Sequence, residues 1–223
     1  FSAKANISDN KNTFKSINEL KGDIEFRGLS FTYPHANRES LRNIRLKIPS
    51  GQILAVVGEI GSGKSTLIQM IPRLYKATED TLFIGDHPID KIPLSVLREN
   101  IGYVDQEPYL FSSTIRENIT FGVNEATDDA VADVIKKSGL SADLNRFPEG
   151  LETIIGERGV TLSGGQIQRI ALARALMTRP NILVLDDAFS SLDAETEENI
   201  LSNISEFTRG ATTIIVSHRL SAV

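Results

Sequence analysis

The sequence predicts an α/β fold: a parallel sheet flanked by helices, preceded by a smaller antiparallel β lobe. Three observations carry that prediction. Runs 53–57 and 182–185 are apolar at every position, which suits strands covered on both faces. Runs 24–33 and 44–48 alternate apolar with polar residues, which suits antiparallel strands with one wet face. Amphipathic helical stretches then alternate with apolar strands, the order of an α/β domain.

The elements follow in order. Residues 1–21 are rich in Asn, Ser and Lys without a sustained period and are expected to form a linker or extended arm. A short packed helix over 13–20 is the alternative. Ile24 and Phe26 alternate with Glu25 and Arg27, Phe31 and Tyr33 continue the pattern, and Pro34 stops it. Ile44, Leu46 and Ile48 alternate with Arg45 and Lys47 before the turn Pro49-Ser50-Gly51. After the strand 53–57 comes Gly58, then a helical face of Leu67, Ile68, Ile71 and Tyr75 that Pro72 must bend or end. Thr127-Asp128-Asp129 caps a helix with Val131, Val134 and Ile135 inward and Gly139 as its stop. Another helix starts at Gly164-Gly165, carries Ile167, Ile170, Ala171 and Ala175 on one side, and ends before Pro180. The strand 182–185, a helix from about Ala194 with Ile200, Ile204 and Phe207, and the strand 212–216 complete the pattern.

Composition narrows the function. The chain has 223 residues, 40% hydrophobic and 24% charged, enough for one domain with a sizeable core. A net charge of -5 argues against a generally basic nucleic-acid surface. The absence of cysteine removes disulfides, cysteine-zinc sites and thiol nucleophiles. His35, His87 and His218 are too scattered for a histidine-rich metal site. No apolar run approaches the roughly 20 residues of a membrane span, and no secretory signal is evident. The first residue is Phe1 and the last strand stops just short of Val223, so a piece of a longer polypeptide is expected, with a C-terminal end cut short.

Gly58-Glu59-Ile60-Gly61-Ser62-Gly63-Lys64-Ser65-Thr66 matches G-x-x-x-x-G-K-[ST], between an apolar strand and a helix. Glycines let backbone N–H groups turn toward a phosphate chain, and the helix that follows points its positive end at the same anion. Lys64 supplies a mobile charge to the β- and γ-phosphates, and the Ser65 hydroxyl is placed to ligate Mg²⁺. Asp186 ends the apolar run 182–185, where a carboxylate can hold Mg²⁺ through water; capping of the next helix is its alternative use. The loop by itself indicates a nucleotide phosphate, not which nucleotide or whether it is hydrolysed.

Leu162-Ser163-Gly164-Gly165-Gln166, followed by Gln168-Arg169, opens a helix and resembles the signature motif of ATP-binding-cassette (ABC) ATPases. The resemblance covers nearly everything after about Gly22. Tyr33 in Phe-Thr-Tyr-Pro resembles the adenine-stacking A-loop, and Gln106 in Tyr-Val-Asp-Gln-Glu-Pro resembles the Q-loop. Ser190-Ser191-Leu192-Asp193 resembles the D-loop, and Ser217-His218-Arg219 the switch-histidine loop.

The resemblance implies a P-loop NTPase cassette with a RecA-like parallel core, an N-terminal antiparallel β lobe and an inserted helical lobe at about 107–178. ATP and Mg²⁺ are the implied ligands. Tyr33, Gly58, Gly61, Ser62, Gly63, Lys64, Ser65 and Thr66 would bind the nucleotide, as would Ser163, Gly164, Gly165, Gln166 and Asp193. Ser65, Gln106 and Asp186 would hold the metal, and Asp187, His218 and Gln106 would serve catalysis. In the family the signature closes on the γ-phosphate held by a second cassette, so that two cassettes sandwich two nucleotides head to tail. Glu157, in Gly156-Glu157-Arg158-Gly159-Val160, resembles the X-loop typical of exporters. The segment 111–119 resembles the multidrug and lipid exporter group. In such proteins the cassette follows a membrane domain of the same polypeptide and lies at the cytoplasmic face of the membrane. Tyr109, Leu110 and Phe111 are candidates for the surface that receives that domain; burial in the helical lobe is the alternative.

One position departs from the family pattern. Most hydrolytic cassettes of the family carry Glu after the Asp186 position, and here Asp187 is shorter by one methylene, about 1.5 Å of reach. General-base catalysis needs that carboxylate within hydrogen-bond distance of the attacking water. The chain's own site is therefore expected to bind ATP and hydrolyse it slowly. An impaired base beside an intact signature favours a heterodimer over a homodimer. ABC ATPases of DNA repair or chromosome maintenance insert long coiled coils or cysteine-zinc modules between phosphate loop and signature, and this interval has neither. A binding-only regulatory subunit is the other alternative.

Overall fold

The computed structural model describes residues 7–9, 11, 13–14, 16–156 and 159–217. An antiparallel sheet is built first. Strand β1 (Ile24–Phe31) pairs with β2 (Leu41–Ile48) from Ile24 opposite Ile48 to Phe31 opposite Leu41. On its other edge β1 pairs with β4 (Leu82–Ile84), which turns at Gly85 and pairs with β5 (His87–Pro88), giving the order β2-β1-β4-β5. The second sheet is parallel. It contains β3 (Ile53–Val57), β6 (Ile101–Val104), β7 (Ile182–Asp186) and β8 (Thr212–Ser217) in the order β3-β8-β7-β6.

That order corrects one expectation. β3, apolar throughout, is an edge strand, with Ile53 58% and Val57 45% exposed. The doubly covered strands are the central pair β7 and β8, buried at every residue. Successive strand residues point to opposite faces, and here each face feeds a different core. Ile182, Val184, Ile214 and Val216 join the antiparallel lobe and α1 (Lys64–Gln69). Leu183, Leu185 and Ile215 join the helices of the other side.

Those helices are α3 (Ile115–Thr120), α4 (Asp128–Lys137), α5 (Ser141–Leu144), α6 (Gly164–Met177) and α7 (Ala194–Phe207), with the small α2 (Leu94–Glu99) ahead of β6. Their starts are encoded locally. Thr114, Thr127, Ser163 and Asp193 each accept a backbone N–H three residues on. α4 has the predicted inward face of Val131, Val134 and Ile135. α6 is covered more widely than its predicted stripe, since Leu172, Ala173, Leu176 and Met177 are buried too. α1 stops at Gln69, before Pro72.

No helix occurs among the described residues of 7–21. Ile17 and Leu20 are nonetheless buried in the core of the antiparallel lobe, and the Phe14 N–H donates to the Lys91 carbonyl at 2.8 Å. No helix among the described residues is long and apolar enough to cross a membrane.

Candidate functional site

At the carboxyl end of β3 the chain enters the glycine-rich loop. Gly63 is needed there for two reasons: its φ is +94°, and a Cβ would stand 2.6 Å from the Ser40 carbonyl oxygen. Lys64 is buried, and its ammonium donates to the carbonyls of Gly58 at 2.7 Å and Glu59 at 2.8 Å. The next residue reaches across to the end of the central strand β7: Ser65 Oγ donates to Asp186 Oδ1 at 3.1 Å. Two residues 121 apart in sequence thus place a hydroxyl and a carboxylate side by side. An all-oxygen donor pair of this kind suits Mg²⁺, which keeps most of its water and takes one or two protein ligands. Gln106 lines the same cleft.

The cleft has a volume of about 760 Å³. The predicted residues Tyr33, Gly61, Ser62, Gly63, Lys64, Ser65, Thr66, Gln106 and Asp187 line it together. The Tyr33 hydroxyl bonds Thr66 Oγ1 at 2.9 Å, and its ring packs edge-on against Phe31 and Tyr75 with centroids 5.0 Å away in both cases. Burial, and then the Tyr33 hydroxyl, push the Tyr75 phenol above its ordinary value. Tyr33 is therefore a fixed platform at one end of the cleft. Arg38, Glu39, Ser40 and Ile60 also line it and were not foreseen. Arg38, Glu39 and Ser40 belong to the polar connection between β1 and β2, where no motif marks them.

Asp187 enters from the end of β7. Its φ is +46°, in the left-handed region that Asp tolerates better than most residues. Its N–H donates to the Val216 carbonyl at 3.0 Å, and its own carbonyl accepts the Ser190 N–H at 3.2 Å. The backbone is thus held on both sides at a residue that lines the cleft.

Ser163, Gly164, Gly165 and Gln166 are elsewhere: none lines this cleft. Ser163 caps α6 in a capping box, its N–H donating to Gln166 Oε1 at 2.9 Å and its Oγ accepting the Gln166 N–H at 3.3 Å. The Gln166 amide is oriented from behind, its Nε2 donating to the buried Asp143 at 3.2 Å, and Arg169 pairs with the same carboxylate at 2.8 Å. Ser163 and Gly164 are exposed. Asp193 caps α7; the Thr196 N–H and hydroxyl hold its carboxyl below the usual range. His218 and Glu157 lie outside the described residues.

The candidate docking residues fall into two kinds. Tyr109 is 73% and Phe111 38% exposed, stacked in a row with Phe121, whereas Leu110 packs on the helical core. Fully buried Asn118 holds this segment. It exchanges bonds with the Phe111 N–H at 2.8 Å and carbonyl at 3.0 Å, and Arg174 bonds Asn118 and the Tyr109 carbonyl.

Residues 41–190 match the family model described as ABC transporter. The chain is 48% identical over 202 residues to a protein of Bacillus subtilis (strain 168) described as "Probable multidrug resistance ABC transporter ATP-binding/permease protein YheI", covering 91% of this chain and 34% of that protein. It is 44% identical to the "ATP-dependent permease MDL1" of Candida albicans, covering 94% of this chain and 31% of that one. A solved bacterial Atm1-family ABC exporter with ATP bound superposes with a TM-score of 0.89 at 34% identity, covering 96% of this chain and 37% of that chain. The chain spans about a third of the length of these relatives. With the phosphate loop, Asp186 and the capped signature helix placed as described, the chain belongs to the ABC transporter family and is a nucleotide-binding domain of the exporter type.

Proposed function

We propose that this domain binds and hydrolyses MgATP as half of a cassette pair that drives export across a membrane. The observation that carries the reading is the separation of two anion-binding elements. The phosphate loop lines the chain's cleft together with Asp187, whereas Ser163 and Gly164 lie outside it, exposed at the start of α6. A helix start with free N–H groups is built for an anion, and the cleft of a second cassette supplies one.

Tyr33 would stack on adenine and Lys64 would neutralise the terminal phosphates. Ser65, Asp186 and Gln106 would hold Mg²⁺, which supplies charge neutralisation at the phosphate oxygens when bound. Asp187 would orient the attacking water at short reach, with His218 on the γ-phosphate side, so this chain's own site turns over slowly. A partner cassette bearing Glu at the matching position then supplies the faster site; a pair of identical chains is the second reading. Residues 1–21 would tether the cassette to a membrane domain at its cytoplasmic face, and the exposed Tyr109 and Phe111 would receive that domain. Support comes from the relatives named for permease and multidrug functions.

The test uses Ser163→Asp in the full-length transporter. Asp is as good a helix cap as Ser, so the fold and ATP binding at the phosphate loop persist. Its charge stands where the partner's terminal phosphate belongs, so MgATP-dependent pairing and hydrolysis are lost. Unimpaired pairing would overturn the reading. Gly164→Asp is a poorer probe, because a Cβ at Gly164 already meets Ser191 Oγ at 2.9 Å within the same chain.

A further inference from the structure

Gln168 lies within the first turns of α6 and is 4% exposed. Both ends of its amide are taken by the loop after β7. Nε2 donates to Ser190 Oγ at 2.9 Å, and Oε1 accepts the Ser191 N–H at 3.2 Å. A buried amide engaged at both ends by one short loop fixes loop and helix as a unit. The seam beside it has little spare room: a Cβ on Gly165 would approach Leu192 Cδ2 to 3.0 Å. On its other side the same loop is tied to the nucleotide cleft, through the Ser190 N–H and the Asp187 carbonyl. A continuous bonded run therefore leads from Asp187, through Ser190 and Gln168, into the helix that Ser163 caps.

We infer that Gln168 is a positioning residue that couples the chain's own nucleotide site to the helix start it presents to the opposite site. The inference rests on the proposed pairing. Gln168 lines neither the cleft nor the exposed helix start, so it acts through Ser190 and Ser191. A nucleotide that shifts the Asp187 loop shifts α6 with it, and by linkage a phosphate seated on Ser163 acts back on the cleft.

The experiment measures equilibrium binding of a magnesium-loaded, non-hydrolysable ATP analogue to the full-length transporter, together with thermal unfolding. Gln168→Met keeps the side chain's length and loses both bonds; Ser190→Ala loses one of them from the loop side. Expected for Gln168→Met is an intact first binding event with the coupling between first and second nucleotide reduced on the order of 5-fold or more. Ser190→Ala shifts the coupling the same way by less, and the double variant matches Gln168→Met, since that variant has already lost the bond to Ser190. A merely structural role would lower the unfolding temperature and leave the coupling untouched. Parental coupling in both single variants overturns the inference alone. A parent that binds the analogue without pairing overturns the proposed function and this inference with it.

Discussion

Asp187→Glu adds one methylene, about 1.5 Å of reach. Because the Asp187 backbone is bonded on one side to Val216 and on the other to Ser190, the added length extends the side chain of a residue that lines the cleft and does not shift the chain. Misplacement of a reacting group by about 1 Å costs on the order of 10²-fold in rate. Restoring the reach should therefore speed hydrolysis at this site by about that factor, roughly 2.7 kcal/mol of barrier. An opposing effect falls on stability. At φ +46°, Glu gains less from local bonding than Asp does, which costs up to about 1 kcal/mol. For a domain of this size that lowers Tm by about 2–4 °C. Single-turnover hydrolysis of MgATP by the full-length transporter reads the rate, and a thermal melt reads the strain. KM should move little, since the carboxylate serves the water and not the bound phosphates. An unchanged rate in a variant that melts within a few degrees of the parent would refute the methylene reasoning.

Lys64→Ala removes a charge that now bonds the carbonyls of Gly58 and Glu59; ATP affinity by calorimetry should fall roughly 10- to 100-fold, as expected for lost charge-assisted phosphate contacts. Asn118→Leu preserves volume but strips partners from the Phe111 N–H and from the half-buried Arg174. The loss should be about 3 kcal/mol, read as a lower denaturant midpoint, with faster proteolysis around Tyr109; an unshifted midpoint would contradict the network. For Asp193 the sign is that of a lowered carboxyl: its cap stabilises α7 above the unfolded carboxylate value and is lost as pH falls through the folded one. Asp193→Asn should flatten that part of the acid-unfolding profile, since Asn caps without titrating.

The site was legible where its geometry is local. The phosphate loop announces itself in nine consecutive residues, and the signature segment Leu162–Gln166 in five. Asp186 could be placed because an apolar strand has an end. Legibility failed where packing decides. The apolar run of β3 says nothing about which edges are paired, and among the described residues only β8 stands beside it. The strands β4 and β5, three and two residues long, were not foreseen, being too short to show a period. Arg38, Glu39 and Ser40 reach the cleft because the connection between β1 and β2 passes beside Gly63, a tertiary fact. The Gln168 clamp joins residues 22 and 23 apart across two elements, with no sequence pattern to mark it.

Topology explains why one edge of the molecule carries both the phosphate loop and the start of α6 yet unites them in no single cleft. α6 runs directly into β7 through a short turn, so helix and strand are antiparallel and the start of α6 lies beside the loop that follows β7, where Gly164 and Gly165 approach Ser191 and Leu192. With 14 residues the helix is about 21 Å long, against roughly 17 Å for the five-residue strand. The capped end thus reaches the carboxyl edge of the sheet, where ligands of parallel α/β folds bind. The phosphate loop arrives at that same edge from β3, at the opposite side of the β3-β8-β7-β6 order from β6, against which α6 packs. Sideways displacement on a shared edge favours a two-fold pairing, in which each helix start faces the other molecule's cleft and both contacts form together. In the proposed pairing a single nucleotide would engage both chains, and loss of its terminal phosphate would remove contacts on both sides at once.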